Sequence, residues 1–271
     1  MLKTIEIKPL IGSEVVIDAE ALLSGKHAEE LKELLVRRGA LVMRNIDFDD
    51  DQLRAFAKTM GELRQGTIYE QENAGMLKIF NIPGSLFWHI DGTYTGVPPF
   101  ATVLAPRVIA PKGGDTEFAN LYAAFDDLPE EEKEYLSTLE VVHTMKAAMN
   151  YANPEPTWED FKIWEGHRQV LPLVWRHKSG RRSLLIGATA SHIVGMHLAD
   201  SYELLMRLNA HATQEKYTYL HHWKMGDLAM WDNTGTMHRA RPFDVSSGRQ
   251  MHRFTLEGIE TIPPVSKLVT A

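Results

Sequence analysis

The stretch Phe87-Trp88-His89-Ile90-Asp91-Gly92-Thr93 reads as a β-strand carrying an imidazole and a carboxylate two residues apart. Alternate side chains of a strand point to the same face, so His89 and Asp91 are placed to grip one metal ion together. A third ligand must then come from elsewhere. The best candidate is His238, in Trp231-Asp232-Asn233-Thr234-Gly235-Thr236-Met237-His238-Arg239, a short apolar run behind a Gly226-Asp227 turn. Chance also produces such pairs in a chain with twelve histidines. The second instance, His27-Ala28-Glu29, lies in a polar, helix-like stretch where residues two apart do not share a face, and it reads as solvated surface.

Working outward, the front of the chain alternates helix and strand. Leu31, Leu34 and Leu35 recur at helical spacing between His27 and Arg38, and Gly39 supplies a C-terminal cap. Ala40 to Arg44 reads as a short buried strand. Asp49 or Asp50 caps a second helix with Leu53, Phe56, Ala57 and Met60 on one face, ending near Gly61. The stretch from Arg64 to Gly75 has no regular period and reads as a loop, in an enzyme a lid.

After the pair, Ala101-Thr102-Val103-Leu104-Ala105 with Val108-Ile109 reads as buried strand, and Gly113-Gly114 as a turn into Asp115-Thr116-Glu117-Phe118. Pro129 and three glutamates open a helix. From 145 to 169 the composition is irregular and aromatic, an insertion or lid over a site. Leu171 to Ile186 is a hairpin with Lys178, Arg181 and Arg182 at its tip. Asp200 or Ser201 with Glu203 opens a further helix, and Tyr217 to Trp223 alternates as a strand. His221 and His222 are adjacent, so as strand neighbours they face opposite ways. The expected fold is mainly β with flanking helices, a double-sheet jelly roll, as a single domain over 1–271.

The chain has 271 residues, 44% of them hydrophobic, enough for a substantial core, and no cysteine. Disulfides and thiolate-held metals are therefore excluded, and any metal rests on nitrogen and oxygen. A net charge of −7 argues against a nucleic-acid footprint, which needs a basic surface. The first residues lack the apolar core of a signal peptide, and no run is long enough to span a bilayer. The expectation is a cytoplasmic protein without a membrane partner. A homo-oligomer stays open.

Beyond His238, Arg249-Gln250-Met251-His252-Arg253-Phe254-Thr255-Leu256 alternates as a strand. Arg249 and Arg253 share one face with backbone positions about 13 Å apart. Charges rarely sit unpaired in a core, so each arginine has an internal salt bridge or receives a small-molecule carboxylate, which its planar fork suits. Two imidazoles and a carboxylate form the facial triad of non-haem Fe(II) oxygenases, with open positions for cosubstrate and O2. Iron beside a carboxylate anchor is what 2-oxoglutarate requires.

Trp88-His89-Ile90-Asp91, Gly113-Gly114-Asp115-Thr116-Glu117-Phe118, Gly226-Asp227-Leu228-Ala229-Met230-Trp231-Asp232-Asn233, and His238 with arginines eleven and fifteen residues later together resemble the taurine/2,4-dichlorophenoxyacetate dioxygenase family. The resemblance covers most of the chain, from the front helix to Gly258. It implies a double-stranded β-helix, with His89, Asp91 and His238 as iron ligands and Thr116 and Arg249 on the far carboxylate of 2-oxoglutarate. It also implies Arg253 facing the anionic group of the primary substrate, with Gly92 near the same end. Phe87 and Trp231 are candidate cavity walls, alongside plain core roles. Where taurine enzymes carry a histidine that helps bind sulfonate, this chain has Arg64-Gln65-Gly66. The stretches Leu184 to Met196 and His211 to Trp223 look closer to the chlorophenoxyacetate branch.

The implied chemistry is oxidation of a small organic acid coupled to conversion of 2-oxoglutarate to succinate and CO2. Hydroxylation next to an ether oxygen would give a hemiacetal that collapses and cleaves the ether. A sulfonate dioxygenase or a desaturase of the same family is the alternative. Asp91 fills the position that a halogenase leaves for chloride. A zinc hydrolase also accepts two histidines and a carboxylate, but has no evident use for two inward arginines.

Overall fold

Asp49 accepts the backbone N–H of Gln52, and the Gln52 side chain accepts the N–H of Asp49. This reciprocal cap starts the helix Asp50–Met60. Its buried face, Leu53, Phe56, Ala57 and Met60, packs with Leu31, Leu34 and Leu35 of the helix Ala28–Arg38 in one apolar cluster. That second helix ends at Gly39, whose φ of +74° is the left-handed backbone glycine tolerates. The computed structural model describes residues 2–65, 76–79, 83–153 and 155–265.

The two helices cover one face of a seven-stranded sheet, ordered Lys3–Glu6, Ser13–Val16, Ala40–Met43, Leu228–Asp232, Ala101–Val108, Gln250–Thr255, Met76–Ile79. Pairing is antiparallel except between Ser13–Val16 and Ala40–Met43. The period of two sorts the side chains. Leu41, Met43, Val103, Ala105, Leu228, Met230 and Phe254 join the helices. Ala40, Val42, Leu104, Ala229, Trp231 and Met251 fall in the cluster on the other side, with Phe118 and Tyr219 from a second sheet. That sheet has three strands, ordered Thr218–His221, Thr116–Asn120, Thr236–Ala240, all antiparallel. The space between the two sheets is where the site forms.

Further sheets and helices close the remaining sides. A three-stranded sheet runs Ala190–Ile193, Glu140–Thr144, Arg168–Pro172, and Val174–Arg176 pairs with Arg182–Leu184 as the expected hairpin. Flanking helices include Leu121–Asp126, Glu130–Ser137 and Leu198–Ala212. Among the described residues no helix is long and apolar enough to cross a membrane.

Three sequence expectations change. Phe87 to Thr93 is not a strand: its only ladder contact among the described residues is an isolated bridge at His89, and the chain turns at once into a 3-10 segment, Thr93–Thr95. Gly92, at φ +72°, makes that turn, so no second rung can form. The irregular stretch 145–169 contains two eight-residue helices, Met145–Ala152 and Trp158–Glu165, started by Thr144 and by a Thr157 capping box. Few of their side chains are buried, which hid the period. The helix expected from Asp200 begins at Leu198, where the imidazole of His197 takes the capping role. Most of the loop expected from Arg64 to Gly75 lies outside the described residues.

Candidate active site

The bridge at His89 is made with His238: each backbone N–H donates to the other's carbonyl, at 3.1 and 2.9 Å. The strand Thr236–Ala240 thereby sets His238 beside His89, with ring centroids 4.2 Å apart. Asp91, two residues on, turns its Oδ1 to within 3.5 Å of His89 Nε2 and 3.9 Å of His238 Nε2. The candidate ligand atoms of the three residues all lie within 4.8 Å of one another. His89 Nδ1 is 2.7 Å from the Phe87 carbonyl oxygen, which makes Nδ1 the protonated nitrogen and leaves the Nε2 lone pair free.

The electrostatics suit a cation. Burial opposes the charge of Asp91, but the guanidinium of Arg253, then His238 and His89, outweigh it and hold the carboxyl far below its usual range. Burial, with His89 and Arg253 adding to it, pushes His238 well below its usual value against the pull of Asp91. The cluster is thus an ionised carboxylate with a neutral imidazole at His238, the states metal ligands need.

A cavity of about 240 Å³ opens on this cluster. His89, Asp91, Gly92, Thr116, Trp231, His238, Arg249 and Arg253 all line it, brought from both sheets. Arg249 is 4% exposed and points Nε and Nη2 at the Gly114 carbonyl, at 3.1 and 2.8 Å. Burial, offset by Asp115, pushes its pKa down to about 10, and among the described residues it makes no ion pair within 4 Å. Thr116 accepts the indole N–H of Trp223 at 3.0 Å, which frees its own hydroxyl hydrogen for a ligand. A buried guanidinium without a carboxylate, lining the same cavity as a hydroxyl with a hydrogen to give, has the chemistry to receive a small carboxylate.

Arg253 is placed differently from its partner arginine. Its Nη1 lies 3.3 Å from Asp91 Oδ2, while its Nε is buried with no hydrogen-bond partner among the described residues. Of the two aromatic wall candidates, Trp231 lines the cavity and packs 4.5 Å from the His238 ring. Phe87 does not line it. Its side chain lines a neighbouring cavity, 5.2 Å from the Tyr151 ring, and only its carbonyl serves the site.

Sequence reasoning missed several lining residues: Met145, Ala148 and Met149 from the helix Met145–Ala152, and Thr189 beyond the Val174–Leu184 hairpin. The signal for the first group was the i, i+3, i+4 spacing of Met145, Ala148 and Met149.

The match to known proteins follows the same residues. A model of the taurine catabolism dioxygenase TauD, TfdA family matches residues 3–255, and the chain belongs to that family. It is 34% identical over 278 residues to the alpha-ketoglutarate-dependent 2,4-dichlorophenoxyacetate dioxygenase of Burkholderia sp. (strain RASC), covering 92% of this chain and 91% of that protein. It is 32% identical over 270 residues to the alpha-ketoglutarate-dependent sulfate ester dioxygenase of Pseudomonas putida, covering 92% and 87%. The crystal structure of AAD-2 in complex with Mn(II) and N-oxalylglycine superposes with a TM-score of 0.83 at 30% identity, covering 97% of this chain and all (100%) of that one. The protein is an enzyme of the 2-oxoglutarate-dependent dioxygenase class.

Proposed function

We propose that the enzyme holds Fe(II) through His89, Asp91 and His238 and uses O2 and 2-oxoglutarate to oxidise a small organic acid, with release of succinate and CO2. The observation that carries this reading is one cavity containing both the His89, Asp91, His238 cluster and the carboxylate receptor of Arg249 and Thr116. The donor set fits the metal: two imidazole nitrogens and one ionised oxygen suit a divalent first-row ion that must keep positions open. When bound, the metal supplies the activation of O2 that the protein's own side chains lack.

The chain's residues do the rest. Arg249 and Thr116 receive the far carboxylate of 2-oxoglutarate and set its keto acid end toward the cluster. Arg253, with its unpartnered Nε, receives the anionic group of the primary substrate, and Gly92 leaves room beside it. Trp231, Met145, Ala148 and Met149 give apolar walls that exclude water and accept the body of the substrate. The helix pair at 145–169 is a cover over this cavity, within one catalytic domain. The two facing sheets are the halves of a double-stranded β-helix. The 2,4-dichlorophenoxyacetate relative favours an aryloxyalkanoate-like carboxylate, oxidised next to its ether oxygen.

Anaerobic addition of Fe(II) and 2-oxoglutarate is expected to give a weak visible absorption band. Aerobic screening of carboxylates, sulfonates and sulfate esters is expected to reveal substrate-dependent succinate. No band, and no succinate with any of them, would overturn the reading and favour a redox-inert metal such as zinc.

A further inference from the structure

We infer that Trp231, Asn233 and Thr102 form a one-way hydrogen-bond relay that positions Asp91 so that only its Oδ1 faces the metal. This rests on the proposed reading of Asp91 as a ligand. An indole N–H can only donate, and that of Trp231 lies 2.9 Å from Asn233 Oδ1. The carbonyl end of the amide is thereby assigned, and its Nδ2 donates to Thr102 Oγ1 at 2.8 Å. A hydroxyl that receives a hydrogen bond still has its own hydrogen to give, and the acceptor beside it is Asp91 Oδ2 at 3.4 Å. Each donor has one direction open to it, so the polarity of the whole relay follows from its first member.

The placement is a product of the sheet. Trp231 and Thr102 are register partners on adjacent antiparallel strands, and Asn233 follows directly at the strand end. Trp231 is 2% exposed, and Asn233 and Thr102 are fully buried, at 0%, so bulk water does not compete for these bonds. Arg253 Nη1 brings a second donor to the same Asp91 Oδ2, at 3.3 Å. With Oδ2 held by two donors, Oδ1 is left facing His89 Nε2 and His238 Nε2. The carboxylate then offers one ligand atom and keeps the neighbouring coordination position open. Thr102 and Asn233 touch no reacting atom, so they are positioning residues. Outer partners of this kind change metal affinity by about 10–100-fold when removed.

The test is titration of the apo protein with Mn(II) by calorimetry, with the visible spectrum of the Co(II)-substituted protein as a second readout. Thr102→Val keeps the shape and loses the hydroxyl, so it is expected to bind Mn(II) about 10-fold or more weakly and to change its Co(II) bands as Asp91 turns to offer both oxygens. Thr102→Ser restores the hydroxyl and is expected to bind close to wild type, with wild-type Co(II) bands. Trp231→Phe removes the N–H that sets the Asn233 amide together with the pyrrole part of the ring, and it is expected to weaken Mn(II) as well. Equal affinities in Thr102→Val and Thr102→Ser, at whatever level, overturn the relay. Should Thr102→Val fail to fold by circular dichroism, wild-type Mn(II) affinity in Trp231→Phe overturns it instead. A wild-type protein that binds no Mn(II) defeats the metal-site reading itself, an outcome distinct from a loss confined to the variants.

Discussion

His89 and His238 donate their backbone N–H groups to each other's carbonyl oxygens, and this isolated bridge onto the strand Thr236–Ala240 is what brings their rings to 4.2 Å. Main-chain pairing preorganises the pair, so metal binding should cost little rearrangement and appear as added stability of the folded state. Mn(II) at 100 times its Kd is expected to stabilise the protein by about 2.7 kcal/mol. For a domain of this size that is a rise in Tm of roughly 5–11 °C. His238→Ala and Asp91→Ala are expected to show no such rise in differential scanning calorimetry. A rise that survives in both would place the metal elsewhere.

Gly92 is the hinge of the turn that follows Asp91. Its φ of +72° is left-handed, and a Cβ there would lie 2.8 Å from Pro99 Cδ and 3.1 Å from Arg64 Nη1. Gly92→Ala is expected to lower stability by about 1–3 kcal/mol, read from the urea midpoint, and to weaken Mn(II) as Asp91 shifts. An unchanged midpoint would show that the turn relaxes.

The scaffold was legible where local chemistry decides it. Asp49, Gly39 and the leucines at helical spacing announced the front helices, and Ala40 to Arg44 read as the short buried strand that the structure has at Ala40–Met43. The cluster was legible because His89 and Asp91 lie close in sequence and His238 sits on a recognisable apolar run, although Phe87 to Thr93 forms a bridge and a turn where its pattern suggests a strand. What stayed hidden was side-chain pairing over long separations. The Arg253 to Asp91 contact and the relay through Asn233 depend on which strands are neighbours, and no local pattern states that. The helices of 145–169 were hidden for the opposite reason, since so little of them is buried that the short apolar spacing of Met145, Ala148 and Met149 is all that marks them.

His143 should contribute to the acid sensitivity. It is fully buried, its Nδ1 lies 2.9 Å from Thr189 Oγ1, and burial, opposed only by the Leu185 backbone, pushes its pKa down to about 4. The folded state therefore binds its proton less readily than the unfolded state, where the pKa is near 6.5. The stability this group contributes is complete above about pH 6.5 and is lost as pH falls from there toward 4. The slope it adds to the unfolding free energy is at most about 1.4 kcal/mol per pH unit. His143→Asn lacks the titrating ring, so it is expected to be less stable at neutral pH yet to show a shallower decline across that window in urea titrations. Parallel curves for the two proteins would remove His143 from the account.

The two arginines should separate cosubstrate from substrate. Arg249 is buried, fixed on the Gly114 carbonyl, and without an ion-pair partner among the described residues, whereas Arg253 already serves Asp91. Arg249→Ala is expected to weaken 2-oxoglutarate by on the order of 2–5 kcal/mol, the cost of removing one member of a desolvated charge pair. The visible band with Fe(II) should then demand far more of the keto acid, while Mn(II) affinity stays near wild type. Arg249→Lys keeps the charge without the planar fork and should recover only part of the loss. Arg253→Ala removes the cation that does most to keep Asp91 ionised, so it should weaken Mn(II). Once metal is saturating, however, its 2-oxoglutarate titration should be nearly intact, and succinate should form with less oxidised product. Equal loss of 2-oxoglutarate affinity in Arg249→Ala and Arg253→Ala at saturating metal, or none in Arg249→Ala, would refute this division of roles.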